Sequence, residues 1–378
     1  MTNRISSQEF QQRVQNIRNQ MKKRNLDVLF IYSQRRGHVT YVSGYRPNYH
    51  TNSAVVVLPL ERDPIMWVKF PFDVPRARAV SWLDDIRGSI SEDTTKMFSG
   101  CTEAIRSLGL DRSRIGIVAS DLAVDEMGVS LNEALRAQLP NAQLEPASDL
   151  LNGLRLVKSQ NEIAVLREAT QLAGRVAESL GKEIKPGQTE RLAALAAAQT
   201  ARLEGSECDM IISSNCSRMA VPPSDCEFQR GNAVNCEINV QLDGYWIQIC
   251  RVFSIGKPTA AQSEVFEVTR GAYEAAVQMA KPGIPVGCLA DAAHKIFAEA
   301  HYEKYVQYGT GHGVGLDIGE LYSIEPKCEG RLSPGMVLVI HPGLWVTDKG
   351  AAFVGGPIAV TEDSPSRLDT PQTEMTEV

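Results

Sequence analysis

Residues 231–256, GNAVNCEINVQLDGYWIQICRVFSIG, contain two alternating apolar runs on either side of Asp243-Gly244. Alternation interrupted by a short Asp-Gly turn predicts a β-hairpin. Polar side chains lie within both runs, although the strands otherwise have the composition of buried ones. Since an unpaired buried polar group costs on the order of 1–3 kcal/mol, the cluster predicts either a hydrogen-bonded core network or a functional site. Its members are Asn235, Glu237, Asn239, Gln248 and Cys250.

The composition narrows the class of protein to which this chain can belong. A chain of 378 residues with 43% hydrophobic and 22% charged residues has the balance of a globular protein and suggests two domains. The formal net charge of −6 argues against a nucleic-acid partner. Eight cysteines without a CxxC pair are too dilute for a disulfide scaffold and predict free thiols. Without a signal-peptide core or a run of about 18 apolar residues, we expect a cytoplasmic protein with no membrane partner.

The first domain is predicted over residues 1–150. Apolar positions recur every three to five residues over 7–25, which predicts an amphipathic helix capped by Ser6 or Ser7. Strand-like and helix-like segments then alternate as far as RIGIVAS, which is typical of an α/β domain.

The second domain is predicted over residues 151–378. Ser159 precedes Glu162 by three positions, which predicts a capping box at the start of a long helix. Two further helices are expected over 258–281 and 285–301, followed by strands. The polar segment SPSRLDTPQTEMTEV at 364–378 is expected to be a frayed tail.

Four segments together resemble one known family. They are RLVKSQNEI at 155–163, YGTGHGVGL at 308–316, SPGMVLVIHPGL at 333–344 and GGPIAVTED at 355–363. With the hairpin, they resemble in order the "pita-bread" proteins: methionine aminopeptidase, aminopeptidase P, prolidase and creatinase. The resemblance extends over essentially the whole chain. It implies an α/β N-terminal domain followed by an α+β pita-bread C-terminal domain.

The chain departs from that family at the expected metal ligands. In the family's metallopeptidases these are Asp, Asp, His, Glu and Glu, and only the histidine is kept here. Two further histidines that assist peptide hydrolysis map near Ala220 and to Gly319. The resemblance therefore argues against an ordinary dinuclear aminopeptidase. The five ligand positions map to Glu237, Gln248, His312, His341 and Gly355.

We interpret the substitutions first as those of a metal-independent, creatinase-like hydrolase that cleaves a non-peptide C–N bond in a small amidino, amide or urea-type substrate. Its catalytic residues would be His312, His341 and Glu237, since histidine titrates near neutral pH. By resemblance to creatinase, Arg46 and His50 would anchor the substrate from the other subunit of a homodimer. The candidate substrate-binding residues are Gln248, Cys250, Asn239, Tyr308, Arg46 and His50.

Two alternatives remain open. Glu237, His312 and His341 have the composition of a 2-His-1-carboxylate site for one Zn²⁺ or Fe²⁺, although the preferred interpretation has no cofactor. The other alternative is a pita-bread module that binds a partner without catalysis. For Cys250, a buried thiol acting as a small hydrophobe competes with a role in binding.

Overall fold

The computed structural model describes residues 4–34, 37–47, 52–90, 93–120, 125–215, 221–306 and 308–378. It forms two compact units, Met1–Arg155 and Leu156–Val378. None of the helices in the described ranges has both the length and the apolarity needed to cross a membrane.

The first unit is a mixed sheet with helices. Its six strands lie in the order β4-β3-β2-β1-β5-β6, with β1 antiparallel to β2 and parallel to β5. The elements are α1 (Ser7–Arg24), β1 (Val28–Ser33), α2 (His38–Ser43), β2 (Ala54–Pro59), β3 (Ile65–Val68), α3 (Val74–Val80), β4 (Asp85–Gly88), α4 (Thr94–Ser107), β5 (Arg114–Val118), α5 (Gly128–Gln138), β6 (Gln143–Pro146) and α6 (Ser148–Leu156), with a 3₁₀ turn at Pro71–Asp73.

The predicted first helix is confirmed. The Ser6 hydroxyl accepts a hydrogen bond from the Glu9 N–H, and Asn25 ends the helix in the left-handed conformation. The apolar residues whose spacing predicted the helix lie on one face and are buried, as expected for an amphipathic helix. The buried apolar residues are Phe10, Val14, Ile17 and Met21.

The second unit combines a curved set of strands with long helices. Its sheets have the orders β17-β9-β8-β7, β11-β10-β12-β15-β16 and β13-β14. The elements are α7 (Gln160–Glu183), α8 (Glu190–Leu203), β7 (Cys208–Asn215), β8 (Ala233–Leu242), β9 (Tyr245–Ser254), α9 (Ala260–Met279), α10 (Gly287–Glu299), β10 (Gly311–Gly313), β11 (Glu320–Ser323), β12 (Val337–Ile340), β13 (Gly343–Val346), β14 (Gly350–Phe353), β15 (Gly356–Ala359), β16 (Ser366–Arg367) and β17 (Thr376–Glu377), with a 3₁₀ turn at Glu303–Tyr305.

The predicted hairpin is formed by β8 and β9. Asp243 and Gly244 have φ of 49° and 83°, the positive values that a two-residue type I′ turn requires. In the resulting antiparallel register, Glu237 lies opposite Cys250 and Asn239 lies opposite Gln248. Since directly opposed residues share a face of the sheet, these four side chains are on the same side.

Two buried polar contacts connect Lys158, just before α7, and Glu162, in its first turn, to the strands. Lys158 Nζ lies 2.7 Å from Glu320 Oε2, with side-chain exposures of only 1% and 7%. The predicted capping box between Ser159 and Glu162 is confirmed, and the same Glu162 accepts a 3.0 Å hydrogen bond from the Tyr245 hydroxyl. The RLVKSQNEI segment therefore holds the helix, the hairpin and β11 together.

The prediction of a frayed C-terminal tail is wrong. Arg251 Nη2 lies 2.8 Å from both carboxylate oxygens of Asp369, which pairs two largely buried charges. The Gln372 side chain bonds both backbone groups of Val252, accepting at 2.8 Å and donating at 2.6 Å. The tail also contributes β17, which pairs with β9 through Thr376 and Glu377, so the Gln372 amide extends this pairing by one residue, a role that polarity alone does not reveal.

We expect Lys158→Met to lower the free energy of unfolding by about 3–5 kcal/mol, because it leaves the Glu320 carboxylate buried without its cation. Urea denaturation followed by circular dichroism measures this change. The control is Lys185→Met, which removes an exposed pair with Glu183 and should change stability little. Equal effects of the two substitutions would contradict the structural role of Lys158.

Candidate active site

His312 lies on the short strand β10, between two glycines that the packing requires. A Cβ on Gly311 would lie 2.1 Å from the Val339 carbonyl oxygen, and one on Gly313 would lie 2.1 Å from the Leu321 carbonyl oxygen. β10 is therefore packed between β11 and β12 too closely for side chains on that face. The glycine-rich sequence around His312 is explained by this close approach.

His341 follows β12 and is fully buried at 0% exposure. Its ring centroid lies 5.1 Å from that of His312, 5.0 Å from Phe353 and 5.4 Å from Tyr308. Tyr308 itself is 53% exposed, so it forms the outer side of this four-ring cluster. The structure thus brings together three of the predicted site residues, His312, His341 and Tyr308.

Burial makes both histidines neutral at pH 7. It holds the pKa of His341 well below the usual value, with a smaller contribution from neighbouring His312, and it also lowers the pKa of His312. His312 Nδ1 lies 2.9 Å from the Gly313 carbonyl oxygen. A carbonyl only accepts, so this nitrogen carries the proton and Nε2 keeps its lone pair. Neither ring nitrogen of His341 has a hydrogen-bond partner among the described residues.

Some polar residues of the hairpin form a hydrogen-bond network in the core, and others are available to take part in a site. Asn235 donates to the Ala351 carbonyl at 3.1 Å and accepts from the Phe353 N–H at 3.0 Å, which fastens β8 to β14. Asn239 donates to Glu237 Oε1 at 3.0 Å. Burial raises the pKa of Glu237 and this hydrogen bond opposes the shift. Asn235 is thus structural, while Glu237 and Asn239 form a partly buried acid–amide pair.

Cys250 and Gln248 face that pair across the hairpin. Gln248 Nε2 lies 3.8 Å from the Cys250 sulfur, and the Cys250 N–H donates to the Gly355 carbonyl at 2.9 Å. Burial, with the nearby Glu237 carboxylate, raises the pKa of the Cys250 thiol well above its usual value. A thiol in this environment is not a nucleophile at neutral pH.

Gly355 occupies the position that the resemblance gives to the last metal-binding glutamate. A Cβ at this residue would lie 2.0 Å from the Ile340 carbonyl oxygen and 2.8 Å from the His341 Cβ. Atoms of Ile340 and His341 therefore occupy the space that a side chain at 355 would need.

The candidates of the first unit lie in the loop after α2. The Arg46 carbonyl accepts from both terminal nitrogens of Arg76, each at 3.0 Å, and Arg76 also pairs with buried Asp73. These contacts fix the base of the loop. His50, and likewise Ala220, lie outside the described residues.

Phe353 is the site neighbour that the sequence did not indicate. Its ring lies edge-on to both His341 and Tyr308, at centroid distances of 5.0 and 6.2 Å. The available signal was its place two residues before the GGPIAVTED segment.

Comparison with known protein families settles the classification. Residues 164–362 match the model described as "Metallopeptidase family M24", and residues 13–157 match "Creatinase/Prolidase N-terminal domain". The chain belongs to metallopeptidase family M24.

Relatives carry dipeptidase names, and a solved structure shares the fold. A Xaa-Pro dipeptidase of Pyrococcus horikoshii is 28% identical over 284 residues, covering 74% of this chain and 77% of the relative. A putative dipeptidase of Bacillus subtilis is 26% identical and covers 93% of this chain and 95% of its own length. The solved Xaa-Pro dipeptidase from Bacillus anthracis superposes with a TM-score of 0.86 at 21% identity, covering 98% of this chain and 100% of that one. The predicted two-part pita-bread fold is confirmed.

These findings correct the predicted chemistry. The family resemblance is confirmed, but the relatives are named Xaa-Pro dipeptidases, which places the chain nearer to prolidase than to creatinase. The prediction of a creatinase-like hydrolase for non-peptide C–N bonds is therefore wrong, as is the view that a peptidase is improbable. The predictions of metal independence and of no cofactor are overturned by membership in a metallopeptidase family.

The residues at the five mapped positions do not fit a two-metal carboxylate centre. Within the described ranges, no three His, Cys, Asp or Glu side chains come together as a metal-binding group. Gln248 and His341 are neutral, and Gly355 has no side chain and no room for one. Only Glu237 could contribute a carboxylate.

We expect Gly355→Ala to destabilise the protein by about 1–3 kcal/mol, because the new methyl group would collide with the Ile340 carbonyl. Gly319→Ala is the matched control, since among the described residues no atom beyond its two chain neighbours lies within 4 Å of a Cβ there. Thermal denaturation of both variants tests this. A Gly355→Ala protein as stable as the control would show that the backbone is not closed at 355.

We expect iodoacetamide to alkylate Cys226 in the native protein and to leave Cys250 unmodified. Cys226 is exposed, whereas Cys250 is buried with a raised pKa. Peptide mass spectrometry after timed labelling distinguishes the two sites, and labelling in urea should modify both. Native labelling of Cys250 at the rate of Cys226 would contradict the closed environment of its thiol.

Proposed function

We propose that this protein acts on short peptides of the Xaa-Pro class and cleaves the peptide bond between the two residues. The names of the family and of the relatives support the substrate class. The observation that carries the proposal is the shared polar face of the hairpin, on which Glu237, Asn239, Gln248 and Cys250 lie in register. A few fixed polar groups among apolar neighbours are the usual means by which a protein orients a small ligand.

The residues of that face match the groups of a dipeptide. The side-chain amides of Asn239 and Gln248 supply donors and acceptors for a peptide backbone. The Glu237 carboxylate is the one acid among the mapped residues and suits the ammonium group of a free N-terminus. Tyr308, half exposed at the outer side of the ring cluster, can cover a bound ligand.

His312, His341 and Glu237 stay our proposed catalytic residues. Neutral imidazoles can accept a proton at nitrogen, and a carboxylate whose pKa is raised by burial accepts one more readily than an ordinary carboxylate. These are the protein groups that can move a proton during cleavage of an amide.

Residues from a second copy would complete the site in this proposal. Arg46 and His50 offer cationic or hydrogen-bonding partners for the free carboxylate of a dipeptide, and the resemblance assigns their loop to the neighbouring subunit. The homodimer and the cytoplasmic location stay predictions.

A second candidate function is recognition of the same peptides without cleavage. It is favoured by the substitutions at Gln248, His341 and Gly355, which remove the carboxylates of the family's centre. Binding and cleavage must therefore be measured separately.

We expect Ala-Pro and Met-Pro to bind in isothermal titration calorimetry and free proline to appear by mass spectrometry. Gln248→Ala and Asn239→Ala should each weaken binding by about 2–10-fold, the effect of losing one hydrogen bond. Gln199→Ala, on the exposed side of α8, is the matched control and should bind normally. Binding without proline release would select the second candidate, and no binding of either peptide would overturn both.

A further inference from the structure

An elongated cavity lies in the unit Leu156–Val378, between α7 and the C-terminal segment that follows β15. Its volume is about 920 Å³, within the range of roughly 300–1,000 Å³ that is typical of sites for small molecules. Its lining residues on α7 run from Thr170 to Lys185, a span of 15 positions or about 22 Å of helix. A ligand that fills this cavity would therefore be long and narrow.

The cavity is separate from the candidate active site. On β9 it is lined by Arg251 and Phe253, and alternate residues of a strand point to opposite faces. Gln248 and Cys250 therefore lie on the other face of this strand, which they share with Glu237. A ligand in the cavity would not contact the groups proposed for catalysis.

The wall that α7 contributes is made of small residues. Gly174, Ala177 and Gly181 follow one another at spacings of three and four, so they share one face of the helix. A Cβ on Gly181 would lie 2.7 Å from the Phe253 ring, whereas among the described residues no atom beyond the helix itself and the chain neighbours lies within 4 Å of a Cβ on Gly174. The cavity is the open space beside Gly174. Its other apolar lining residues are the buried Ile184 and Leu368.

The backbone of β9 beside the cavity is already hydrogen-bonded. The Gln372 side chain bonds both backbone groups of Val252, and β17 pairs with the next two residues of β9. An extended peptide gains affinity by adding main-chain hydrogen bonds to a free strand edge, so this wall does not favour a peptide. An acyl chain needs no hydrogen bonds along its length, and it gains by leaving water for an apolar wall.

The charges around the cavity favour an anionic group at one end. Lys182 lines the cavity and has no carboxylate within ion-pair distance in the part of the chain that the structure describes. The acid Glu178 lies one turn earlier on α7, so the favoured place for an anion is beside Lys182 on the side toward Lys185. The other cations of the lining are paired, as Arg251–Asp369, Arg175–Glu204 and Lys185–Glu183.

We propose that this cavity binds an aliphatic carboxylate of the fatty-acid class. The acyl chain would lie along Gly181, Ala177 and Gly174, and the carboxylate would lie beside Lys182. The proposal does not depend on peptide cleavage, because the cavity and the candidate catalytic residues are on opposite faces of β9. Either proposal can therefore fail without the other.

The first test is calorimetric titration of the full chain with decanoate and, separately, with 1-decanol, which has the same chain without the charge. We expect saturable binding of about one equivalent of decanoate, with decanol at least about fivefold weaker because it forms no ion pair. Absence of saturable decanoate binding, or equal binding of the two compounds, would overturn the proposal.

A pair of glycine variants tests the path of the acyl chain. Gly174→Leu places a side chain in the open space and should weaken decanoate binding by more than about tenfold. Gly153→Leu is the matched control and should bind normally. It also lies in a helix, α6, and among the described residues no atom beyond that helix and the chain neighbours lies within 4 Å of a Cβ there.

A pair of charge variants tests the position of the carboxylate. Lys182→Gln should weaken decanoate binding about fivefold and leave decanol binding unchanged, whereas Glu178→Gln should not weaken either. Circular dichroism verifies folding, and Lys182→Gln decides the question if Gly174→Leu fails to fold. Unchanged decanoate affinity in a folded Gly174→Leu or Lys182→Gln protein would refute the assignment.

Discussion

The hydrogen-bonded ladder between β8 and β9 is the constraint on which the second unit depends. Each residue of Ala233–Leu242 pairs with one of Tyr245–Ser254, from Ala233 opposite Ser254 to Leu242 opposite Tyr245. A slip of one position would move Glu237 and Asn239 to the other face of the sheet. The positive φ angles of Asp243 and Gly244 fix the register at the turn. Other elements then attach to this ladder: β7 pairs with β8 along its length, and the Tyr245 hydroxyl donates a hydrogen bond to Glu162 of α7.

Local chemistry made much of this fold predictable from sequence. The Asp-Gly turn, the Ser159–Glu162 capping box and the helix at Ser7–Arg24 each depend on residues close together in the chain. The C-terminal tail was not predictable in this way. Its order comes from Asp369 and Gln372, which bind partners more than one hundred positions earlier. The ring cluster around His341 likewise depends on packing between β10, β12 and β14.

The chemistry was harder to predict for a different physical reason. The absence of Asp and Glu at the mapped positions shows which charges the site lacks. It does not identify the reaction, because proteins with different functions can lack the same charges. The similarity to creatinase rested on that loss, whereas relatives named Xaa-Pro dipeptidases, aligned over 74% and 87% of the chain, point to prolidase. The structure shows which groups occupy these positions instead. They are two neutral imidazoles, one carboxyl group with a raised pKa and two side-chain amides, all held by the strands. This set of groups is far less acidic than the family pattern implies.

Gly355 also limits how the family's metal centre could be rebuilt in this chain. The carbonyl of Ile340 lies where the first carbon of any side chain at 355 would have to be. A glutamate introduced at 355 would therefore meet a steric barrier before it could act as a ligand. The strand that contains Ile340 would have to shift as well, so a single substitution is not enough to place a carboxylate at this position.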